Sequence, residues 1–368
     1  MRITSRKAGL AGLATIGASA LLLAGCAAAP EEDNAGGSDA PDFLPCMVSD
    51  AGGFDDKSFN ESGFNGLVEA ADEVGVEYKE VESADESAYG PNVQNLVDQG
   101  CNLIVTVGFL LSETTLEAAE ANPDVNFAII DDQLDADQDG QPDVDNGKPI
   151  VFNTHEAAFL AGYAAASYSK TGVVGTFGGI QIPTVTIFMD GFAEGVAYHN
   201  EQKGTNVSVV GWDVEGETGV FTGGFEAGTA ALASAQGLID QNADVIMPVG
   251  GPIYQSAAEA IRSSGREIAL IGVDSDVYES DPSVADLLLT SVMKGITPAT
   301  RDVVTAAAEG DFSNEKYIGT LENDGVALAP FHDFESKVAP ELSDELDEIR
   351  QGIIDGDIVV ESKAAFTE

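Results

Sequence analysis

Carboxylates and glycines end the short apolar runs of this chain at regular intervals. They stand as Asp50-Ala51-Gly52-Gly53, Gly108, Asp131-Asp132, Gly178-Gly179, Gly250-Gly251 and Asp274-Ser275-Asp276. A carboxylate accepts hydrogen bonds strongly, and a glycine lets the backbone approach a bound molecule closely, so such a set can hold a polar ligand. Turn-making and helix capping explain many of these residues one by one. They explain less well the carboxylates that end three runs in two separate stretches of chain. Paired cleft carboxylates also suit acid–base work, which keeps a hydrolase as the enzyme alternative. Yet no GxxxxGK[ST], GxGxxG or GxSxG occurs, and His155-Glu156-Ala157-Ala158-Phe159 lacks the second His of a zinc-protease helix. The three histidines, at 155, 199 and 332, are too few and too scattered for a His-rich metal centre.

A second acidic pattern has a different spacing. Asp135, Asp137 and Asp139 fall at positions 1, 3 and 5 of a calcium-type loop, with Gly140 at position 6 and Asp143 at position 9. Position 12 is Asn146 instead of the bidentate Glu, so a structural calcium here would bind only in about the millimolar range. The alternative is a solvated acidic turn, and no cofactor is otherwise required.

The elements that must position these groups alternate from residue 45 onward. Apolar runs predict strands at 46–50, 76–81, 103–107 and 126–130, with helices near 58–74, 90–99 and 112–121. A second series predicts strands at 172–177, 206–211, 244–248 and 268–273, with helices near 155–169, 184–202, 224–241 and 253–264. Strands alternating with helices make parallel sheets covered on both faces, and ligands then bind beyond the strand C-termini. The expected fold class is α/β, with two doubly wound parallel-sheet lobes, a hinge and a cleft between them.

Composition narrows the partners. The 368 residues carry 16 Lys+Arg against 63 Asp+Glu, a formal net charge of −47, with 44% hydrophobic and 7% aromatic residues. Such a surface repels phosphate backbones and offers little to anionic lipid, so nucleic acid is excluded as a partner. At the N-terminus, Arg2, Arg6 and Lys7 precede an apolar stretch from Leu10 to Ala24, the order of a secretory signal. Leu23-Ala24-Gly25-Cys26 resembles a bacterial lipobox, with Cys26 acylated; an ordinary cleaved signal is the alternative. Residues 1–25 then read as signal peptide and 26–44 as a flexible acidic tether. The membrane would be met only through this lipid, at the extracytoplasmic face. In that oxidising setting Cys46 and Cys101 either form a disulfide, contributing about 4 kcal/mol in the chain-entropy model, or stay as two buried thiols.

The segment from Asp50 through Gly53-Phe54-Asp55-Asp56-Lys57-Ser58-Phe59 to Asn60 resembles the N-terminal signature of the basic membrane protein family. Phe127-Ala-Ile-Ile-Asp131, Glu156-Ala-Ala-Phe-Leu-Ala-Gly-Tyr163, Phe188-Met-Asp-Gly-Phe192, Val273-Asp-Ser-Asp276 and Thr290-Ser-Val-Met-Lys294 continue the likeness in order. It implies a type I periplasmic-binding-protein fold and a lipid-anchored, nucleoside-binding receptor of an ABC importer, working with permease subunits. A monomer and no enzymatic activity are expected. By resemblance, Phe59 and Phe188 sandwich the base, while Asp50, Asp131 and Asn60 meet its edge. Asp274, Lys294 and the backbone at Gly250 meet the ribose. Core packing is the alternative for each Phe, and an exposed helix position for Lys294. Asp132, Asp190 and Asp276 read as caps or supporting groups, and Trp212 has no assigned role. The resemblance implies lobe 1 from 45–153 plus 292–318 and lobe 2 from 154–291 plus 319–368. A sugar-binding protein of the same fold, a nucleoside hydrolase and a surface adhesin or sensory lipoprotein are the rival readings.

Overall fold

The computed structural model describes residues 42–366, so Cys26 and the expected signal peptide lie outside the described residues. The first series is β1 (Pro45–Val48), α1 (Phe59–Val74), β2 (Lys79–Val81), α2 (Tyr89–Asp98), β3 (Leu103–Val107), α3 (Ser112–Ala121), β4 (Asn126–Ile130) and β5 (Gly147–Phe152). The second runs α4 (Thr154–Tyr168), β6 (Val173–Gly178), α5 (Pro183–Lys203), β7 (Ser208–Val210), the small ribbon β8 (Trp212–Asp213) and β9 (Thr218–Gly219), α6 (Thr229–Asp240), β10 (Val245–Val249), α7 (Ile253–Ser264), β11 (Ala269–Asp274), α8 (Val277–Ser280) and β12 (Leu288–Lys294). The chain then forms α9 (Ile296–Glu309), β13 (Tyr317–Gly319), β14 (Val326–Leu328) and α10 (Leu342–Ile354).

Two six-stranded sheets result, in the orders β13-β5-β4-β3-β1-β2 and β14-β12-β11-β10-β6-β7. Every pairing in them is parallel except β12 with β14. The central strands are almost wholly apolar and buried on both faces, as helix-covered parallel strands must be. The two orders superpose position by position, so β4 and β11 are equivalent, as are β5 and β12. The chain passes between sheets three times: after β5, between β12 and α9, and between β13 and β14. Helix α9 packs on α1 beside the first sheet, whereas α10 packs on α4 beside the second.

Helices α4 and α5 approach so closely that side chains are excluded between them. A Cβ on Gly195 would lie 1.9 Å from the Phe159 carbonyl oxygen, and one on Gly191 would lie 2.2 Å from that of His155. This contact fixes the axis of α5, on whose second turn Phe188 rides.

Three features differ from the sequence expectations. Strands β5 and β12 are additional; Pro149 and the polar Thr290-Ser291 interrupt the apolar pattern that marks the other strands. The helix expected from 224 starts at Thr229, because Gly223, Gly224 and Gly228 keep 223–228 as a loop. The expected tether ends early: the backbone of Leu44 exchanges hydrogen bonds with Asn102, and Phe43 packs on the core. For Lys294 it is the alternative that fails, since the residue ends a buried strand and does not sit exposed on a helix.

Cys46, in β1, is disulfide-bonded to Cys101, just before the neighbouring strand β3, with a Cα–Cα distance of 6.0 Å. Closing a loop of this length restricts the unfolded chain. The Cys46→Ser/Cys101→Ser variant should lose about 4 kcal/mol of unfolding free energy in denaturant titration; equal stability would show that the cross-link contributes nothing.

Candidate functional site

The strand C-termini of both sheets face each other, and the carboxylates and glycines at those ends line one cleft. Asp50, Phe59, Asn60 and Asp131 come from the first lobe; Phe188, Gly250, Asp274 and Lys294 come from the second sheet and its helices. All eight sequence-predicted ligand residues therefore share a single cavity. It is nearly shut: about 50 Å³ is free inside, room for a few waters. A larger ligand enters only when the lobes part.

Lys294 is the hub. Its side chain is 2% exposed, and its ammonium lies 2.6 Å from Asp131 Oδ2 and 3.4 Å from Asp274 Oδ1. Those two aspartates occupy equivalent places at the ends of β4 and β11, and both adopt left-handed backbone, with φ of 70° and 69°. Such a conformation is uncommon for a non-glycine residue, although Asp tolerates it better than most, and here both carboxylates that meet the ammonium adopt it. Three aromatic rings surround the same ammonium: Phe188 at 4.9 Å, Phe59 at 5.2 Å and Phe152 at 5.9 Å from ring centre to Nζ. Phe59 and Phe188 thus face a common space from opposite lobes, with the lysine at its base.

The first lobe adds a second polar cluster. Asn60 Nδ2 donates to Asp50 Oδ1 at 2.8 Å and to Asp56 Oδ2 at 3.2 Å, while Asn60 Oδ1 is buried with no partner. Asp56, which the sequence reading missed, is the true cap of α1: it accepts the backbone N–H groups of Ser58, Asn60 and Glu61. Ser58 is thereby released from capping, and its hydroxyl donates across the cleft to the Val273 carbonyl at 3.0 Å. Ser280 reaches back to the Lys57 carbonyl at 2.8 Å, so the two lobes touch in this closed arrangement.

Phe225 was also missed. Its ring covers Gly179 and Gly250, where a Cβ would come within 2.3 and 2.6 Å of it, and it lines the cavity from the 223–228 loop. The Gly223-Gly224-Phe225 triplet is the signal that could have found it, since glycines before an aromatic mark a loop able to carry a ring. The other acidic residues serve as supports. Asp132 accepts from Ser112 and the Leu134 N–H, Asp190 holds Trp212 Nε1 and Ser362, and Asp276 caps α8 and pairs with His332. In the acidic loop, carboxylate oxygens of Asp135, Asp137 and Asp143 come within 4.8 Å of one another. Asp139 instead accepts from the Gln141 N–H and stands outside that group.

Burial governs the protonation of the cleft. It pushes Asp131 up to about 6, although Lys294 beside it pulls the other way. Burial likewise raises Asp56 to about 6 against its backbone donors, and raises Asp50 and Asp274. Burial alone would lower Lys294, but Asp131 and Asp274 outweigh it, and the ammonium stays charged. The cleft thus presents acceptor oxygens, one fixed cation and flat apolar rings, a combination suited to a neutral ring system bearing N–H groups and hydroxyls.

A carboxyl whose folded pKa exceeds its unfolded value makes the folded state bind more protons, so stability falls as pH rises between the two values. For Asp131 that window runs from 3.8 to about 6, and the full difference corresponds to ~3 kcal/mol. The melting temperature of the ligand-free protein should fall from pH 5 to pH 7, and Asp131→Asn should make the fall shallower at the same salt. An equally steep fall in the variant would mean that Asp131 titrates normally.

Residues 43–363 match the Bmp family model, described as ABC transporter substrate-binding protein PnrA-like. The chain is 29% identical to the ABC transporter nucleoside-binding protein BmpA of Lactococcus lactis subsp. cremoris, over 94% of this chain and 96% of that protein. It is 31% identical to basic membrane protein A of Borreliella burgdorferi, over 84% and 86%. Among solved structures, an ABC transporter solute-binding protein from Aeropyrum pernix K1 superposes with a TM-score of 0.76 at 24% identity, covering 87% of this chain and 94% of that one. Its fold is the type I periplasmic-binding-protein fold, and with the family match extending over nearly all the described residues, this chain belongs to the Bmp family of PnrA-like ABC transporter substrate-binding proteins.

Proposed function

We propose that this protein binds nucleosides, purines by preference, as the lipid-anchored extracytoplasmic receptor of an ABC importer. The observation that carries the reading is the placement of Lys294 between Asp131 and Asp274 below facing aromatic rings. A ribose diol can share one ammonium and one carboxylate, donating to the second and accepting from the first. The base would stack on Phe59, with Phe188 supplying the opposing ring and Phe225 a further apolar wall. Asp50 and the unpartnered Asn60 Oδ1 offer adjacent acceptors for N–H groups on the purine edge. The name of the Lactococcus relative supports the nucleoside class. The absence of a motif for nucleophilic catalysis supports binding without turnover. Among the described residues no helix is long and apolar enough to cross a membrane, which suits attachment through Cys26 lipid alone. Closure brings both lobes onto the ligand, and the closed form is the one that would dock on permease subunits.

Calorimetry with guanosine, inosine and adenosine tests this directly. At least one should bind, while ribose alone should bind far more weakly and no free base should accumulate on incubation. Loss of one stacked ring costs ~1–3 kcal/mol, so Phe59→Ala and Phe188→Ala should each weaken binding about 5- to 150-fold. Unchanged affinity in Phe188→Ala, with a large loss in Phe225→Ala, would move the second ring to the loop. Because an ionised Asp50 is a stronger acceptor than a protonated one and burial raises its pKa, affinity should weaken as pH falls. A flat profile would remove Asp50 from the contact.

A further inference from the structure

The two lobes touch at Ser58, at Lys57 and through the Asp131–Lys294 pair, and beside these contacts they leave a groove of about 620 Å³. This groove adjoins the ligand cavity, with Leu110 and Phe225 lining both. It opens at one particular end. Ala51, next to Asp50, and Tyr89 form its inner wall, whereas Asp131, Asp274 and Lys294 take no part in it. Resting on the nucleoside reading above, the groove therefore lies beyond the base edge and away from the ribose. Tyr89 is 2% exposed, and its hydroxyl is buried against the Ala51 backbone, so this part of the wall presents its ring and not a free polar group. The rim carries Asp85 and Glu86 from the first lobe and Glu226 from the second, all exposed, with no basic residue lining the groove.

We propose that this groove is a second subsite that accepts a substituent on the base, so that the protein takes base-extended nucleosides as well as plain ones. The acidic rim selects the charge of that substituent: neutral and cationic extensions are admitted, anionic ones are repelled. A carboxylate on the extension would meet rim carboxylates of both lobes at short range, whereas an ammonium would be attracted by them. Because the rim is exposed, salt screens the effect.

Calorimetric titration of the full chain with N6-hexyl-, N6-(6-aminohexyl)- and N6-(5-carboxypentyl)adenosine, and the corresponding N2-substituted guanosines, tests this, each compared with its own parent nucleoside. The hexyl compound should bind within about threefold of its parent, and the aminohexyl compound at least as tightly as the hexyl one. The carboxypentyl compound should bind about tenfold or more weaker than the aminohexyl one at low salt, the gap shrinking to below about threefold in 1 M salt. Glu86→Gln/Glu226→Gln should narrow the same gap at low salt while leaving the parents unchanged. Parents that bind while every substituted compound is weaker by about 100-fold would overturn the subsite. A charge gap that is absent, or indifferent to both salt and the double variant, would overturn the selection by the rim. Failure of both parents would instead overturn the nucleoside reading itself.

Discussion

One ammonium shared by two carboxylates organises this molecule. Lys294 ends β12, Asp131 follows β4 and Asp274 ends β11, so a single buried contact ties three strand ends from two sheets. Removing three charged groups from water is costly, and it is tolerable only because they neutralise one another and keep good geometry. The arrangement still carries more acid than base, and burial holds the pKa values of both aspartates above normal. A ligand that donates hydroxyls to these oxygens would relieve part of that imbalance.

The pseudo-symmetry of the two sheets explains how such a contact is built. Equivalent strand orders place Asp131 and Asp274 at matching positions, and each turns into left-handed backbone where it meets the lysine. The third strand of the cluster breaks the symmetry: β12 ends in Lys294, whereas its counterpart β5 ends in Phe152, whose ring lies beside the ammonium. The same division of labour appears at α1, where Asp56 takes over the capping of the helix and leaves Ser58 free to bridge to the other lobe. Close helix contact at Gly191 and Gly195 then sets where α5 carries Phe188.

The two-lobed α/β architecture was legible because parallel strands buried on both faces read as unbroken apolar runs, and helices between them as amphipathic stretches. Lengths failed where composition was mixed, as in β5 with its proline and β12 with Thr290-Ser291. Asp50, Asp131 and Asp274 could be singled out because each stands at the end of an apolar run, directly or one residue on, and the collinear likeness to a known family then suggested Phe59, Phe188 and Lys294. Asp56 and Phe225 were hidden for a physical reason. A buried aspartate in an acidic chain looks like any other, and a ring on a glycine loop has no periodicity to betray which way it faces. The groove beside Tyr89 is formed by segments far apart in sequence, so it exists only once the lobes are assembled.

The central claim is that Asp274 and Lys294, the lysine steadied by Asp131, grip the sugar while rings from both lobes enclose the base. A crystal structure of the chain grown with guanosine addresses it most directly. The expected density has ribose hydroxyls within hydrogen-bond distance of Asp274 and Lys294, and the purine against Phe59 and a second-lobe ring. Guanosine bound elsewhere, or Lys294 turned out to solvent in the closed form, would contradict it.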